Sequence, residues 1–386
     1  MRASNWLLPE FISDILPAEA RGLEELRRKL LDLYQHSGFE LVAPPLVEFT
    51  ESLFAGQRVD LPQKTAKVID QLSGRTMGIR PDITPQVSRI DAHLLNRQGV
   101  TRLCYCGVVF HAKPSDLIGD RELVQIGAEI FGYAGGEADL QIIGLAYQSL
   151  ETVGITNATL DLNHPAIMRA LVASHPDLEA EVDKLNAFVR EKAITGLRSF
   201  LSQLVDVPDE IKKALLVLPN LYGGKEVIEE ARLCLPALPE IESALNELEM
   251  IVKRFPSVSV DLADISGYDY HTGISFALYA EGWHNAVVRG GRYDKVAQAY
   301  GRNRPATGFS MNLRSLVQGL PAAEPAAAIK TSWSDDAAQL AAIQQLRSEG
   351  HIVVQLFPGT EQTTEEYVFT RELVLENNQW QLKNIN

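Results

Sequence analysis

Two short stretches of the chain carry polar residues whose types and spacing suit the binding of a small ligand. Gln125 and Glu129 lie four residues apart in a β-prone run, so their side chains would point to one face of a strand. Asp82 directly follows Pro81 and stands two residues before Thr84. A carboxylate in such a place can hold a cationic group by a charge-assisted hydrogen bond. Ordinary structural roles stay open as alternatives, namely a helix N-cap at Asp82 and a paired strand carboxylate at Glu129.

The cysteines and short motifs give no sign of a metal or a cofactor. The three cysteines are an odd count, which suggests reduced thiols. Cys104 and Cys106 lie two apart in an apparent strand and share a face, but no second Cys/His pair has matching spacing. Buried structural thiols are therefore favoured over a metal pair. The phosphate-binding GxxxxGK[ST], the dinucleotide-binding GxGxxG and the zinc-binding HExxH patterns do not occur. We expect no metal and no cofactor.

Composition and charge indicate a globular protein without a broad nucleic-acid surface. Apolar residues make up 46% and charged residues 22% of the 386 residues. Fifty acidic and 36 basic residues give a net charge of −14, which disfavours a large phosphate-binding face. The start, MRASNWLLPEF, has no secretory pattern, and the apolar runs are too short to span a bilayer. We expect a cytoplasmic protein that has neither a broad RNA-binding face nor a membrane span.

Helical spacing, β-prone runs and turn residues predict an α+β fold with a mostly antiparallel sheet and flanking helices. The first helix is predicted at Pro17–Gly38, and a hairpin around Ser73-Gly74 is predicted within residues 66–80. Strands are predicted at 102–110 and 122–133, with a helix beginning near Glu137. The predicted domains are a core at 1–320 with a helical insertion at about 165–254, a linker at 321–328 (PAAEPAAA), and a small C-terminal β-α-β-β α/β domain at 329–386.

Six segments, in this order, resemble motifs of the histidyl-tRNA synthetase branch of class II aminoacyl-tRNA synthetases. The likeness runs from about residue 10 to about residue 320, and the collinear order makes it specific. The segments are GFELVAPPLVE (Gly38–Glu48), GIRPDIT (Gly78–Thr84), YCGVVFHAKP…DRELVQIGAEIFG (Tyr105–Gly132), SGYDYHTG (Ser266–Gly273), VVRGGRYDKV (Val287–Val296) and ATGFSMNL (Ala306–Leu313).

The resemblance implies a class II synthetase-like fold, a dimer formed through the first motif, Gly38–Glu48, and an amino-acid pocket. In that pocket Asp82 would hold the ammonium group of the ligand beside Thr84, and Gln125 would bind the carboxylate edge. Glu129 would accept a hydrogen bond from an imidazole N–H. Tyr270 and His271 would wall the ring, and Gly290 and Gly291 would let the backbone approach the ligand closely. Plain packing at Tyr270-His271 and a simple bulge at Gly290-Gly291 stay open as alternatives.

Three arginines that the family's pattern requires for forming an aminoacyl-adenylate are replaced. Permanently charged arginines suit the negative charge that grows on the ATP α-phosphate. The corresponding positions here are His111, Ser266 and Ser315. Arg314 lies one position before Ser315, and one residue on a helix turns a side chain by about 100°. We therefore expect no catalysis by this chain alone.

GDRELVQIGAE and RPDIT resemble one subfamily more closely than true synthetases, namely the regulatory subunits of ATP phosphoribosyltransferase. This resemblance implies a non-catalytic subunit required for the first step of histidine biosynthesis. Its implied partner is the short-form catalytic subunit, and L-histidine is its implied effector in feedback inhibition. A tail of only residues 329–386 supports the same interpretation, because a synthetase of this branch ends in a full anticodon-binding domain.

Two other functions stay open. A divergent ligase could activate an amino acid for an acceptor other than tRNA, which would need Arg121 or Arg314 to reach the α-phosphate. A purely structural scaffold with a vestigial pocket would bind no amino acid. ATP–pyrophosphate exchange tests the first alternative, and a direct binding measurement tests the second.

Overall fold

The computed structural model describes residues 6–55, 61–114, 119–255, 257–265, 267–321, 325–359 and 367–385. Within these residues the chain forms two compact units, Met1–Ser13 with Glu25–Gly319, and Asp14–Glu24 with Leu320–Asn386. The strands are β1 Glu40–Leu41, β2 Val47–Phe49, β3 Ala66–Ile69, β4 Thr76–Ile79, β5 Thr101–Phe110, β6 Glu122–Phe131, β7 Ala158–Asn163, β8 Tyr222–Gly223, β9 Val258–Asp261, β10 Ser275–Ala280, β11 Val288–Arg292, β12 Ala306–Asn312, β13 Ala326–Ser332, β14 Val353–Leu356, β15 Tyr367–Glu376 and β16 Gln379–Asn384.

Helices flank these strands and fill most of the segment between β7 and β9. The α-helices are α1 Pro17–His36, α2 Thr50–Leu53, α3 Leu61–Lys64, α4 Thr84–Arg89, α5 Glu137–Thr152, α6 Ala166–Ala173, α7 Pro176–Ala180, α8 Val182–Arg190, α9 Ile194–Leu201, α10 Asp209–Val217, α11 Glu226–Cys234, α12 Pro239–Arg254, α13 Leu313–Gly319 and α14 Ala337–Ser348. A π-helical turn, Ile90–Leu95, continues α4, and 3₁₀ turns occur at Leu218–Asn220 and Val296–Tyr300.

The larger unit is organised by a nine-stranded sheet in the order β1-β5-β6-β12-β11-β10-β7-β9-β8. The β1–β5 and β7–β9 pairs are parallel, and the other neighbours in this sheet are antiparallel. A smaller antiparallel sheet, β2-β4-β3, contains the predicted hairpin. The predicted mostly antiparallel α+β architecture with flanking helices is confirmed.

The predicted helical insertion corresponds to α6 through α12, and its helices form by burying one apolar face. In α12, Ile241, Leu245 and Leu248 recur at spacings of four and three and are fully or almost fully buried. One feature of the insertion is absent from the sequence-based prediction. Its short strand β8 pairs with β9, so the insertion extends the edge of the central sheet.

The C-terminal unit contains one strand more than predicted after its helix. The sheet order is β14-β13-β15-β16, so the described element order is β-α-β-β-β rather than β-α-β-β. Asn377 and Asn378, both at positive φ, form the tight turn that separates β15 from β16. Strand β13 also begins at Ala326, inside the segment predicted as a linker. The core of this unit contains Ile329, Ile343, Leu346, Val353 and Leu373.

Alternation along β12 decides which face of the sheet carries the candidate site. Phe309 packs edge to face against Tyr34 of α1, with ring centroids 5.9 Å apart. Gly308 and Ser310 alternate with Phe309 and therefore point to the opposite face. The polar residues described next lie on that opposite face.

Candidate functional site

A cavity of about 640 Å³ opens on this face of the nine-stranded sheet. Its floor is formed by neighbouring strands in register, because Glu129 on β6 pairs with Gly308 on β12, which pairs with Gly291 on β11. The cavity combines acidic, cationic and aromatic side chains. Five of the six residues predicted to bind an amino acid line it: Asp82, Thr84, Glu129, Tyr270 and His271.

Glu129 is a carboxylate held inside the protein by three hydroxyl groups. It is only 1% exposed. Thr84 Oγ1 and Tyr105 Oη donate to Oε1 at 3.1 and 3.0 Å, and Tyr293 Oη donates to Oε2 at 2.5 Å. Burial raises the pKa of Glu129 from 4.5 to about 8, although the three hydrogen bonds act to lower it. Because a carboxylate has about four acceptor positions, Glu129 retains capacity for an N–H donor from a ligand.

Gly308 makes room for this carboxylate. A Cβ atom added at Gly308 would overlap Oε2 of Glu129. Glycine is therefore required at position 308 for steric reasons, as long as Glu129 keeps this conformation. The adjacent Gly291 has a related role, since a Cβ there would lie 2.8 Å from the His271 ring. Gly291 thus makes room for a wall of the pocket, and it also lines the cavity itself.

Asp82, Thr84 and Gln125 form one hydrogen-bonded group at the entrance to α4. Asp82 Oδ1 accepts hydrogen bonds from the Thr84 backbone N–H and from Gln125 Nε2, both at 3.0 Å. Gln125 Oε1 accepts from the Ile83 backbone N–H at 2.8 Å. Asp82 therefore accepts a hydrogen bond from the first N–H of α4, a contact similar to the helix N-cap considered as its structural alternative. Asp82 also lines the cavity. Gln125 bonds within the protein through both ends of its amide, and one of its two Nε2–H donors is left for the predicted contact with a ligand carboxylate.

Aromatic rings build one wall of the cavity. Tyr270 stacks on Tyr293 with centroids 5.2 Å apart and an interplanar angle of 18°. Tyr270 also meets His271 edge to face at 5.2 Å. Tyr293 thus links the ring wall to Glu129, a role that was missed in the sequence. A tyrosine in the glycine-rich segment VVRGGRYDKV was its only available signal.

A second cavity, of about 340 Å³, adjoins the first, and Asp82, Arg289 and Ser310 line both. His111, one of the positions where the family has an arginine, lines this second cavity, and its Nε2 lies 3.1 Å from the Pro81 carbonyl oxygen. Lys64 lines it too. The cations Lys64 and Arg289 were not singled out in the sequence as residues of this cleft.

Of the other two replaced positions, only Ser315 lies within the described residues, and it does not line this second cavity. Ser266 lies outside the described residues. Ser315 is exposed on α13, where its Oγ accepts a hydrogen bond from Asn312 Nδ2 at 2.7 Å. Its neighbour Arg314 is 3% exposed and bonds instead to Asp120 and Ser13, at 3.3 and 2.7 Å. The lining of the two cavities does not include Arg314.

Three further arginines near these motifs are engaged in structural contacts. Arg80 donates to the backbone carbonyls of Pro44 and Val108 at 2.7 and 2.8 Å. Arg89 forms an ion pair with Glu48. Arg121 donates to the His111 carbonyl at 3.1 Å and lies over the Phe110 ring at 4.8 Å.

The thiols show no arrangement for metal binding in the part of the chain that the structure describes. Cys104 is buried, Cys106 is half-buried and Cys234 is exposed, and none forms a disulfide. Burial raises the pKa of Cys104 to about 11, so it remains a thiol at neutral pH. The described residues contain no group of three or more His, Cys, Asp or Glu side chains suited to a metal ion.

Comparison with known proteins identifies the family. The histidyl-tRNA synthetase family profile matches residues 11–316, and the profile of the ATP phosphoribosyltransferase subunit HisZ C-terminal domain matches residues 326–383. The ATP phosphoribosyltransferase regulatory subunit of Bordetella petrii is 54% identical over 99% of this chain and 100% of its own length. The chain belongs to the family of ATP phosphoribosyltransferase regulatory subunits. The regulatory subunit of Ralstonia pickettii is 50% identical over 98% of both chains.

Solved structures agree with this family membership. A structure described as an ATP phosphoribosyltransferase regulatory subunit/histidyl-tRNA synthetase from Bacillus halodurans C aligns with a TM-score of 0.82 and 25% identity, over 95% of this chain and 98% of that one. Histidyl-tRNA synthetase from Nostoc sp. PCC 7120 aligns with a TM-score of 0.77 at 18% identity, over 99% and 95% of the two chains, which shows a shared fold.

Helices long and apolar enough to cross a membrane do not occur among the residues described.

Proposed function

We propose that this chain is the non-catalytic regulatory subunit of an ATP phosphoribosyltransferase complex and mediates feedback inhibition by histidine. The observation that carries this proposal is the full-length similarity to proteins named as such regulatory subunits, at 49–54% identity. The match of the tail to the C-terminal domain of the same subunit adds independent support. The complex would act in the cytoplasm, in the first step of histidine biosynthesis.

The main cavity supports the proposal that L-histidine is the effector. Glu129 would accept a hydrogen bond from an imidazole N–H, and Asp82 with Thr84 would hold the ammonium group. Tyr270 and His271 would wall the ring. Gln125 would contact the carboxylate edge through its second Nε2–H, because the first donates to the Asp82 carboxylate. A cavity of about 640 Å³ has ample room for a free amino acid.

Inhibition requires that histidine bind two states of the complex with different affinity. A ligand shifts an equilibrium only by its differential affinity for the two states. The proposed partner is the short-form catalytic subunit, which would be activated by association and inhibited when histidine stabilises a less active arrangement.

The first motif supports a dimer of this chain as part of the same complex. Gln86 Nε2 donates to Glu48 Oε1 at 2.9 Å, and Arg89 pairs with the same carboxylate. These contacts stabilise the end of the segment Gly38–Glu48 against α4. Leu41 and Leu46 remain more than 40% exposed in the single chain, as an association surface would require.

The proposal includes the absence of amino-acid activation and of tRNA binding. His111 lacks the permanent charge of an arginine, and Arg314 bonds to Asp120 and Ser13. One observation favours the rival ligase function, because Lys64 and Arg289 line the second cavity. ATP–pyrophosphate exchange by the purified chain would establish the ligase and overturn the non-catalytic assignment.

Calorimetry with L-histidine tests the proposed site. The variant Glu129→Gln should bind histidine at least about 10-fold more weakly, because it replaces a carboxyl group that a bound imidazolium would ionise with an amide that stays neutral. Glu122→Gln is the matched control. Glu122 is exposed on the same strand, and its side chain points to the opposite face because it lies seven residues before Glu129. Its affinity should equal that of the unmodified protein. An unchanged affinity in Glu129→Gln would rule out the ring contact.

A further inference from the structure

If the chain binds a free amino acid as proposed, the carboxylate of that ligand needs a charged partner, and none of the six residues assigned to ligand binding from the sequence supplies a cation for it. The family arginine of the SGYDYHTG segment is replaced by Ser266. Gln125, the predicted carboxylate contact, already donates to Asp82 and accepts from the Ile83 backbone N–H. An unpaired carboxylate in a cavity rich in aspartate would be repelled, because the carboxylates of Asp161 and Asp264 line the same space.

Three cations line the main cavity: Arg190, Lys192 and Arg289. Lys192 is already paired, with Nζ 2.9 Å from Asp261 Oδ2 and 3.9 Å from the centre of the Tyr222 ring. Arg190 ends helix α8 of the insertion and lines the main cavity but not the second one. Arg289 instead lines both cavities together with Asp82. Arg289 and Asp82 therefore place a cation and an anion at the boundary between the cavities. A zwitterionic amino acid needs both, one for its carboxylate and one for its ammonium group.

The strand register places Arg289 within reach of a ligand held by Glu129. Glu129 pairs with Gly308 and Gly308 with Gly291, so Gly291 lies two strands away on the same face. Arg289 is two residues before Gly291 and points to that face as well. With strands about 4.8 Å apart and a rise of about 3.3 Å per residue, the two Cα atoms are separated by roughly 12 Å. Both residues line the main cavity, so a ligand lying over this face of the sheet can contact both side chains.

The Arg289 guanidinium is available for this contact. The side chain is exposed and forms neither a hydrogen bond nor a salt bridge with any residue that the structure describes. Burial raises the pKa of the nearby Asp161 carboxyl group, and the positive charge of Arg289 acts in the opposite direction. A guanidinium offers two parallel N–H donors that match a carboxylate, which lysine cannot do.

We propose that Arg289 binds the α-carboxylate of the amino-acid effector and takes the place of the arginine lost at position 266. Arg289 would then make the pocket selective for amino acids with a free carboxylate over the corresponding amines and alcohols. The proposal rests on the proposed amino-acid binding and adds a residue that none of the six motif-derived assignments includes.

Calorimetry with two ligands tests this assignment in the full-length chain. L-histidinol keeps the ammonium and imidazole groups of L-histidine and lacks its carboxylate. The unmodified protein should bind histidine about 10- to 100-fold more tightly than histidinol. Arg289→Met should reduce the histidine affinity to the histidinol level and leave the histidinol affinity within about twofold. Arg190→Met is the matched control, because it makes the same chemical change at another exposed cation of the cavity and should keep the preference.

The outcomes separate the two proposals. If Arg289→Met keeps the full preference for histidine, the carboxylate assignment is wrong while amino-acid binding stands. If Arg190→Met loses the preference instead, the assignment is likewise overturned, in favour of Arg190. If the unmodified protein binds neither ligand, the proposed amino-acid site fails, and the role of Arg289 fails with it. Circular dichroism of both variants confirms that the exposed substitutions leave the fold intact.

Discussion

At the scale of single residues, Glu129 has the most unusual environment in the candidate site. Its carboxylate is buried and surrounded by the hydroxyls of Thr84, Tyr105 and Tyr293. Burial outweighs these hydrogen bonds and raises the pKa to about 8. The raised pKa therefore increases the fraction of Glu129 that is protonated at neutral pH. A bound imidazolium would favour the ionised form, because an opposite charge lowers a carboxyl pKa.

This pKa predicts how stability depends on pH. An unfolded chain loses the Glu129 proton near pH 4.5, whereas the folded chain keeps it until about pH 8. The folded state therefore binds more protons between these values, and the contribution of Glu129 to the free energy of unfolding falls as pH rises through this window. Glu129→Gln removes this dependence. As pH rises from about 5 to 8, the free energy of unfolding of the variant should increase relative to that of the unmodified protein by up to about 1.4 kcal/mol for each pH unit.

Urea unfolding of both proteins at several pH values from about 5 to about 9 measures this difference. The control Glu122→Gln changes an exposed carboxylate of the same strand, so its difference from the unmodified protein should stay constant with pH. A constant difference for Glu129→Gln as well would contradict the raised pKa.

Spacing in the sequence was sufficient to select Glu129 and Asp82, because each lies inside a short motif. It was insufficient for Tyr105, Tyr293 and Arg289, which also lie in the motifs but whose positions there do not show that they reach the same site. Their convergence depends on strand order, and strand order is a property of the whole sheet. Gln125 was selected correctly as a neighbour of the site, but only the structure shows that both ends of its amide are already bonded.

At the scale of elements, strands β6, β12 and β11 form the floor of the site through matched register. Because side chains alternate with a period of two, a shift of one residue in any of these strands would move its polar set to the other face. Glycine at position 308 lets the Glu129 side chain cross the neighbouring strand. The geometry of the acidic group therefore depends on a residue without a side chain.

Gly308→Ala tests this dependence. The added Cβ would overlap the Glu129 carboxylate, so the variant should lose about 1–3 kcal/mol of unfolding free energy and bind histidine more weakly. Gly144→Ala is the matched control. Position 144 lies within α5 and has open space around an added Cβ, so alanine should stabilise this helix by up to about 1 kcal/mol. Thermal unfolding and calorimetry measure both effects, and equal stability of the two variants would contradict the steric argument.

The elements were predictable where local signals were strong. Leucine spacing predicted α1, and Ser73-Gly74 predicted the β3–β4 hairpin. The edge strand β8 escaped prediction because two residues carry no periodicity. The hairpin of β15 and β16 was missed because Asn377-Asn378 was not recognised as a turn that tolerates positive φ.

At the scale of the whole molecule, the proposed role depends on assembly with a catalytic partner. Histidine binding and activation of the catalytic subunit are then separable. Histidine binding needs the main cavity, whereas activation needs the surface that contacts the catalytic subunit. Residues that contact the ligand should affect inhibition and leave assembly unchanged.

Reconstitution with a short-form catalytic subunit tests this separation. The complex containing Glu129→Gln should form and be activated as in the unmodified protein, while half-inhibition should require at least about 10-fold more histidine. The Glu122→Gln complex should be inhibited normally. Enzyme assays across a histidine series measure the response, and loss of activation together with inhibition would show that Glu129 acts through folding or assembly instead.

Local order along the chain determined the family, the class II synthetase-like fold and most of the acidic site, because six collinear motifs and their periodicities are properties of neighbouring residues. Tertiary structure decided which groups share the cavity: it aims Arg314 at Asp120 and Ser13, and it brings Tyr293 to Glu129 and Arg289 to the cavity boundary. The physical reason is that these contacts join residues up to 301 positions apart, and their geometry exists only after the sheet has formed.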